Sequence, residues 1–433
     1  MRNPRRMRGL TWGLVAWVAL VSPVPPALSE NAAQPQAKGP ETQDSTDWPV
    51  VISKLQQEVY QRPGYAQARQ QLATAHNNYG VSLGHQGQWD LAVRELQEAM
   101  RLDGSNEPFR KNLANLYVNQ ASQEYEHHQA NEALELLEKA VALNPDVVQA
   151  YILQGKIQYE QQKLKEAKAA WQRAVKLDPT QTELARRLAQ VTQELPVESK
   201  FARLSQAFFD VRYEEGLDRP AGYDIQDDLL EARRLVGSDF AYWPKHKIVV
   251  LIYSAESFRA LRQETPEWVA GQFDGKIRVP LPNTRLDQAT VKQILFHEYT
   301  HAVIQDLTNG KCPTWFNEGL AEYEGAKDQP RSLRKLTKAS SEGRLVPWDQ
   351  LSVQFSTSLP VDEVKLGYEQ SHSIVLFLVE RYGFWRIRRL LKAVGDGRPW
   401  EVVFAEELHT KLSRLEAGWR EWLSGFLKAA TSQ

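Results

Sequence analysis

Residues 296–323 read FHEYTHAVIQDLTNGKCPTWFNEGLAEY, and the reading of this stretch decides the C-terminal half of the chain. His297 and His301 stand four apart inside Leu286–Leu307, where Val291, Ile294, Leu295, Val303 and Ile304 recur at helical spacing. Residues i and i+4 share one helix face, so both imidazoles reach a single ion. Glu298 precedes His301 by one turn and reaches a water held there. Asn309-Gly310-Lys311-Cys312-Pro313 is a turn that ends this helix and starts the next. The second helix carries Glu318, seventeen residues past His301, and Glu322 four residues later. From His301 to the turn is about 10 Å of rise, and from the turn back to Glu318 about 7–8 Å. Antiparallel neighbours of these lengths bring Glu318 beside the two histidines. Three protein ligands and one open position define a catalytic zinc site of the two-histidine, one-glutamate kind. One Zn2+ per chain on His297, His301 and Glu318 is the expectation. Glu322 is expected to accept a hydrogen bond from the spare N–H of His297, with His301 as the alternative partner.

Working outward, the composition narrows the rest. The chain has 433 residues, 53 Lys+Arg against 54 Asp+Glu, and a formal net charge of −1. That balance gives no electrostatic footprint for nucleic acid. Its length is a prior for two or three domains. Hydrophobic residues at 42% and aromatics at 10% exclude a mostly disordered chain. The single cysteine, Cys312, excludes a disulfide framework and a Cys-rich zinc module, and reads as a small residue packed in a turn. The 13 tryptophans form no cluster along the chain and read as core and repeat packing; His127-His128 reads as a solvated face.

Residues 1–29 read as an export signal. Arg2, Arg5, Arg6 and Arg8 precede the uncharged run Leu10–Val21, and prolines 23, 25 and 26 then lead to Ala27-Leu28-Ser29 with small residues at a cleavage site. The competing reading is an uncleaved anchor, but twelve helical residues rise only about 18 Å against a hydrocarbon layer of about 30 Å. The chain is therefore expected to be exported, periplasmic or extracellular, with no stable membrane span after cleavage. Residues 30–47 are polar with scattered Pro and Gly, a flexible leader.

From 48 to 196 the chain repeats itself. Ala92 and Ala99 are matched by Ala133 and Ala140, then by Ala167 and Ala174, and each unit closes on a phrase such as Leu143-Asn144-Pro145 or Leu177-Asp178-Pro179. Asn144 to Asp178 is 34 residues, the period of tetratricopeptide repeats, which this segment resembles. Asp103 to Asn144 is 41, so the middle unit is expected to carry a longer first helix, around Tyr125–His128. Segment 48–75 reads as a capping helix pair, 181–194 as a closing helix, and Pro196 as the junction. Such arrays are generic docking surfaces, so a protein partner is expected and no substrate is named.

Residues 197–433 read as an α+β domain. Ala207–Glu214, Lys247–Tyr253 and Gly275–Val279 are expected strands, Asp227–Leu235 a helix, and the chain from Asp287 onward is mostly helical. HEYTH followed by NEGLAEY resembles the gluzincin metallopeptidases, the group of thermolysin and the zinc aminopeptidases. With the repeats in front, the longer phrasing resembles bacterial proteins carrying a peptidase MA-like domain, over roughly residues 197–430. The expected fold is thus a helical repeat array followed by a zincin-like domain with a small mixed sheet. The resemblance implies the same ligands, with Glu298 as general base. It implies an edge strand within Trp268–Pro280 that pairs with bound peptide, where Gly271, Gln272 and Phe273 are the substrate-binding candidates and Pro280 suits an edge. It also implies a Tyr or His that donates to the oxyanion; Tyr368 and His372, one turn apart in an apolar helix, are the candidates. The expectation is a zinc-dependent peptidase acting on a peptide or protein. The alternatives are an envelope scaffold with an inactive or structural zinc site, and an enzyme cutting a non-peptide amide such as a cell-wall crosslink.

Overall fold

The computed structural model describes residues 18–21, 46–217, 219–261, 269–281, 288–327, 332–356 and 359–431. Most of the expected signal (1–29) and leader (30–47) lies outside these residues. The chain divides into two units, one within Pro25–Ser199 and one formed by Lys200–Gln433 with the segment before Pro25.

In the N-terminal unit, α1 (Trp48–Gln61) precedes three helix pairs: α2 (Ala66–His85) with α3 (Trp89–Leu102), α4 (Glu107–Glu126) with α5 (Ala130–Leu143), and α6 (Val148–Glu160) with α7 (Leu164–Leu177); α8 (Thr182–Glu198) follows them. The six alanines of the repeat pattern are all at 0% exposure, because a methyl is the largest group that fits where paired helices approach. Three expectations change. Segment 48–75 is not a helix pair, since α2 already belongs to the first repeat. Both α2 and α4 have 20 residues against 13 for α6, so the longer first helix is shared by two units rather than confined to the middle one. The closing helix expected over 181–194 runs on to Glu198, with Pro196 inside its last turn. His128 takes a φ of 62°, the left-handed step that stops α4.

The C-terminal unit is built on a sheet of order β1-β5-β6-β4-β3-β2, formed by β1 (Val18–Val21), β2 (Ala202–Ser205), β3 (Phe209–Tyr213), β4 (Ile248–Ser254), β5 (Val269–Phe273) and β6 (Ile277–Leu281). Strands β3, β4 and β6 are parallel; β2 and β5 run antiparallel to β3 and β6, and β1 lies parallel on β5. Strand β6, with Pro280 opposite Tyr253 of β4, is therefore an interior strand. Its ladder with β5 covers only Gln272–Phe273 against Ile277–Arg278, so the proline's missing donor falls beyond it. The edge argument from Pro280 does not hold, and β5 is the strand that lies outside β6.

Helix α10 (Ala255–Leu261) follows β4; helices α9 (Arg219–Phe240) and α11 (Gln288–Thr308) pack together, and one buried cluster joins Val211, Val250, Ile277, Leu229, Leu295 and Tyr299 from sheet and helices. Helices α12 (Thr314–Gly325) and α14 (Val361–Tyr382) complete the site's surroundings, and α13 (Arg334–Ser341), α15 (Phe384–Gly395), α16 (Trp400–Glu407) and α17 (Leu412–Thr431) flank them. Four tryptophans far apart in sequence meet in space, three of them fully buried as core packing. Trp315 lies 5.7 Å from Trp348 and 5.5 Å from Trp400, and Trp348 lies 6.1 Å from Trp419, centroid to centroid. Among the described residues no helix is long and apolar enough to cross a membrane.

Candidate metal centre

The turn Thr308–Pro313 folds α12 back on α11, with Asn309 and Gly310 at φ 48° and 72°. This reversal buries His297, Glu298, His301, Glu318 and Glu322, none more than 3% exposed. Glu318 Oε2 lies 3.5 Å from His297 Nε2 and 3.5 Å from His301 Nε2. The edge of a tetrahedron with bonds of about 2.1 Å is about 3.4 Å, so this spacing is the one a zinc ion's ligands would keep. Neither Nε2 has a hydrogen-bond partner among the described residues. Buried donors and acceptors are nearly always paired, so two unpaired ring nitrogens aimed at one carboxylate oxygen fit a cation between them.

The other ring nitrogens are held from behind. His297 Nδ1 lies 3.3 Å from Glu322 Oε1, the partner expected. His301 Nδ1 lies 3.0 Å from Asn317 Oδ1. An Asn oxygen only accepts, so His301 carries its proton on Nδ1 and leaves Nε2 free for a metal. The sequence reading missed Asn317. Around the α12 axis it sits about −100° from Glu318, and Glu322 about +40°, so the two flank the ligand and each braces one histidine. That flanking was present in the quoted stretch, but a polar residue beside a carboxylate is too common to single out.

Burial alone would raise the Glu318 carboxyl, but the adjoining His301 and His297 outweigh it and hold it low. Burial alone would likewise lower His297, but Glu318 and Glu322 outweigh it and raise it. The cluster thus favours positive charge at its centre. Glu298 differs. Its two oxygens have no hydrogen-bond partner among the described residues, and burial pushes its pKa up to about 8, His297 opposing and Glu318, Asp274 and Glu322 adding.

Other candidates are placed as follows. Gly271 touches Glu298: a Cβ built on it would stand 2.3 Å from Oε1. Phe273 belongs to the hydrophobic core, so its side chain is committed there, and Gln272 is buried on the opposite face of β5. Strand β1 (Val18–Val21) lies on the outer side of β5, so β5 is not the free edge expected for it, and its backbone is open to an extended ligand only where β1 is absent. Helix α14 lies close on α12, because Gly319 lets the Ser371 carbonyl come within 2.6 Å of where a Cβ would be. His372, the next residue, is buried. Tyr368 is also buried, in a small cluster with Val364, its ring 4.9 Å from that of Phe355. Cys312 packs against the core and is not one of the three residues whose ligand atoms converge; burial and the nearby Glu318 push its thiol up.

Comparison with known proteins agrees with this architecture. Residues 266–425 match the Peptidase MA superfamily, and residues 71–146 and 148–181 match tetratricopeptide repeat families, repeats first and peptidase-like domain after. No curated protein matches the chain. Among solved structures, the first tetratricopeptide domain of Spaghetti (RPAP3), bound to the HSP90 peptide SRMEEVD, is 28% identical over 29% of this chain and 93% of its own, with a TM-score of 0.22. The first such domain of human RPAP3 is 27% identical over 29% of this chain and 94% of its own, also at 0.22. MamA is 16% identical over 35% of this chain and 80% of its own, again at 0.22.

Proposed function

We propose that the protein is an exported, zinc-dependent peptidase whose repeat array docks a protein partner or the substrate itself. The observation that carries this reading is the convergence of His297, His301 and Glu318 beside an unbonded Glu298. His297, His301 and Glu318 would hold the metal, with Glu322 and Asn317 fixing the rings. When bound, zinc supplies Lewis acidity that polarises a carbonyl and acidifies a water. Glu298 takes the proton of the attacking water and delivers it to the leaving amine. Its raised pKa suits a group that must both accept and donate. Once cleavage of residues 1–29 takes β1 away from β5, backbone groups of β5 align the substrate as an added strand. Tyr368 or His372 on α14 donates to the developing oxyanion. The basic, then apolar, then small-residue pattern of residues 1–29 supports export.

The test is metal analysis of the mature chain, a peptide-library cleavage profile, and Glu298→Gln in parallel. Both proteins are expected to hold near one zinc per chain, with cleavage by the variant lower by about a thousandfold. Equal cleavage by the variant would overturn the mechanism. A fourth protein ligand in the spectrum of the cobalt-substituted protein would identify a closed, structural site instead.

A further inference from the structure

Glu298 is fully buried, and neither carboxylate oxygen has a hydrogen-bond partner among the described residues. A carboxylate without a donor is placed by packing. Its packing partner is specific: a Cβ on Gly271 would stand 2.3 Å from Oε1, 2.9 Å from Cδ and 3.0 Å from Cγ. Real Cβ atoms do not come so close, so the carboxyl occupies the notch that the absent side chain leaves in β5. Backbone freedom is not the reason for glycine here, because Gly271 is not among the residues with positive φ. Space is the reason. On a strand, alternate residues face the same side, and position 271 faces α11 as Phe273 faces the core.

We infer that Gly271 is a positioning residue for Glu298: its bare Cα fixes where the carboxylate rests, between strand β5 and the His297–His301–Glu318 cluster. Any side chain at 271 takes the carboxylate's place and drives it out of line with a peptide laid along β5. The catalytic half of this inference rests on Glu298 being the general base; the steric half does not.

The experiment separates the two halves. Four full-length chains, wild type, Gly271→Ala, Glu298→Ala and the double variant, are unfolded by heat without metal. Gly271→Ala is expected to lower Tm by roughly 5 °C in the wild-type background. In the Glu298→Ala background the loss is expected to shrink to about 1 °C, because the methyl enters vacated space. Equal losses in both backgrounds would mean that the strand needs glycine for itself, and would overturn the inference. The zinc-loaded Gly271→Ala chain is then assayed on any peptide that wild type cleaves. Full zinc occupancy, a kcat lower by roughly 100-fold and a KM within about threefold are expected. A raised KM with unchanged kcat would assign Gly271 to substrate pairing and overturn the positioning role. If wild type cleaves nothing, the peptidase reading fails, and the thermal cycle still decides the steric one.

Discussion

Tyr159 in the array and Glu298 in the C-terminal unit are both buried polar side chains, and what surrounds them differs. Tyr159 donates to Glu194 at 3.0 Å and accepts from Gln190 at 2.9 Å. One repeat earlier Tyr125 donates to Glu160 at 2.7 and 2.8 Å, again across a separation of 35 residues. The array thus repeats a tyrosine-to-glutamate hydrogen bond from one unit to the next. The α11–α12 pair gathers Nε2 of His297, Nε2 of His301 and both oxygens of Glu298 without hydrogen-bond partners among the described residues. Each such orphan costs about 1–3 kcal/mol when nothing completes it. At these two tyrosines the buried hydroxyl is closed on a neighbouring repeat, whereas at the α11–α12 pair the unpartnered atoms gather at one point.

The largest effect that tests this contrast lies behind the histidines. Glu322→Ala and Asn317→Ala are each expected to weaken zinc binding by about 10–100-fold in a chelator competition, the carboxylate more than the amide. Unchanged affinity in both would show that the braces are incidental and would break the contrast. Gly319→Ala comes next. Its methyl would meet the Ser371 backbone carbonyl at 2.6 Å, and a backbone yields little, so a loss of about 2 kcal/mol in denaturant unfolding is expected, together with weaker zinc binding as Glu318 turns. A third test concerns an acid buried away from the site. Burial pushes Asp228 on α9 up to about 6, Lys292 opposing and Glu231, Asp224 and Asp227 adding. The folded state keeps its proton above the usual aspartate pKa of about 3.8, so stability falls as pH rises from about 4 through about 6 and is flat beyond. Asp228→Asn should remove that fall and leave the variant more stable at pH 8 by about 1–2 kcal/mol; a parallel pH profile would refute the assignment. The smallest effect sharpens the other side of the contrast. Tyr159→Phe is expected to cost the array about 1 kcal/mol and to leave zinc affinity untouched.

How much of this was legible follows from what kind of signal each feature leaves. The triad was readable because two fixed helix spacings and a turn of known reach bring His297, His301 and Glu318 together. The alanine ladder was readable because close helix approach tolerates little else. Features set by distant contacts were not. Trp315, Trp348, Trp400 and Trp419 meet across three helices and a 3-10 segment (Trp348–Phe355), with no common spacing to announce it. Strand β2 is short and half exposed, so it lacks an apolar run. Helix α9 begins at Arg219, well before the expected Asp227, because Pro220 reads as a breaker although proline fits a first helical turn. Phe273 was placed among ligand-binding residues from its position on β5, but side-chain direction on a strand depends on register, which local sequence does not set.

The unequal helices of the array have one more consequence. With 20 residues in α2 and α4 and 13 in α6, the first two ribs outreach the third by about 10 Å. The stack is notched, because α6 stands between the 20 residues of α4 and the 17 of α8. A segment lying along the array meets a recess at that one layer, and shape alone then marks a position on it.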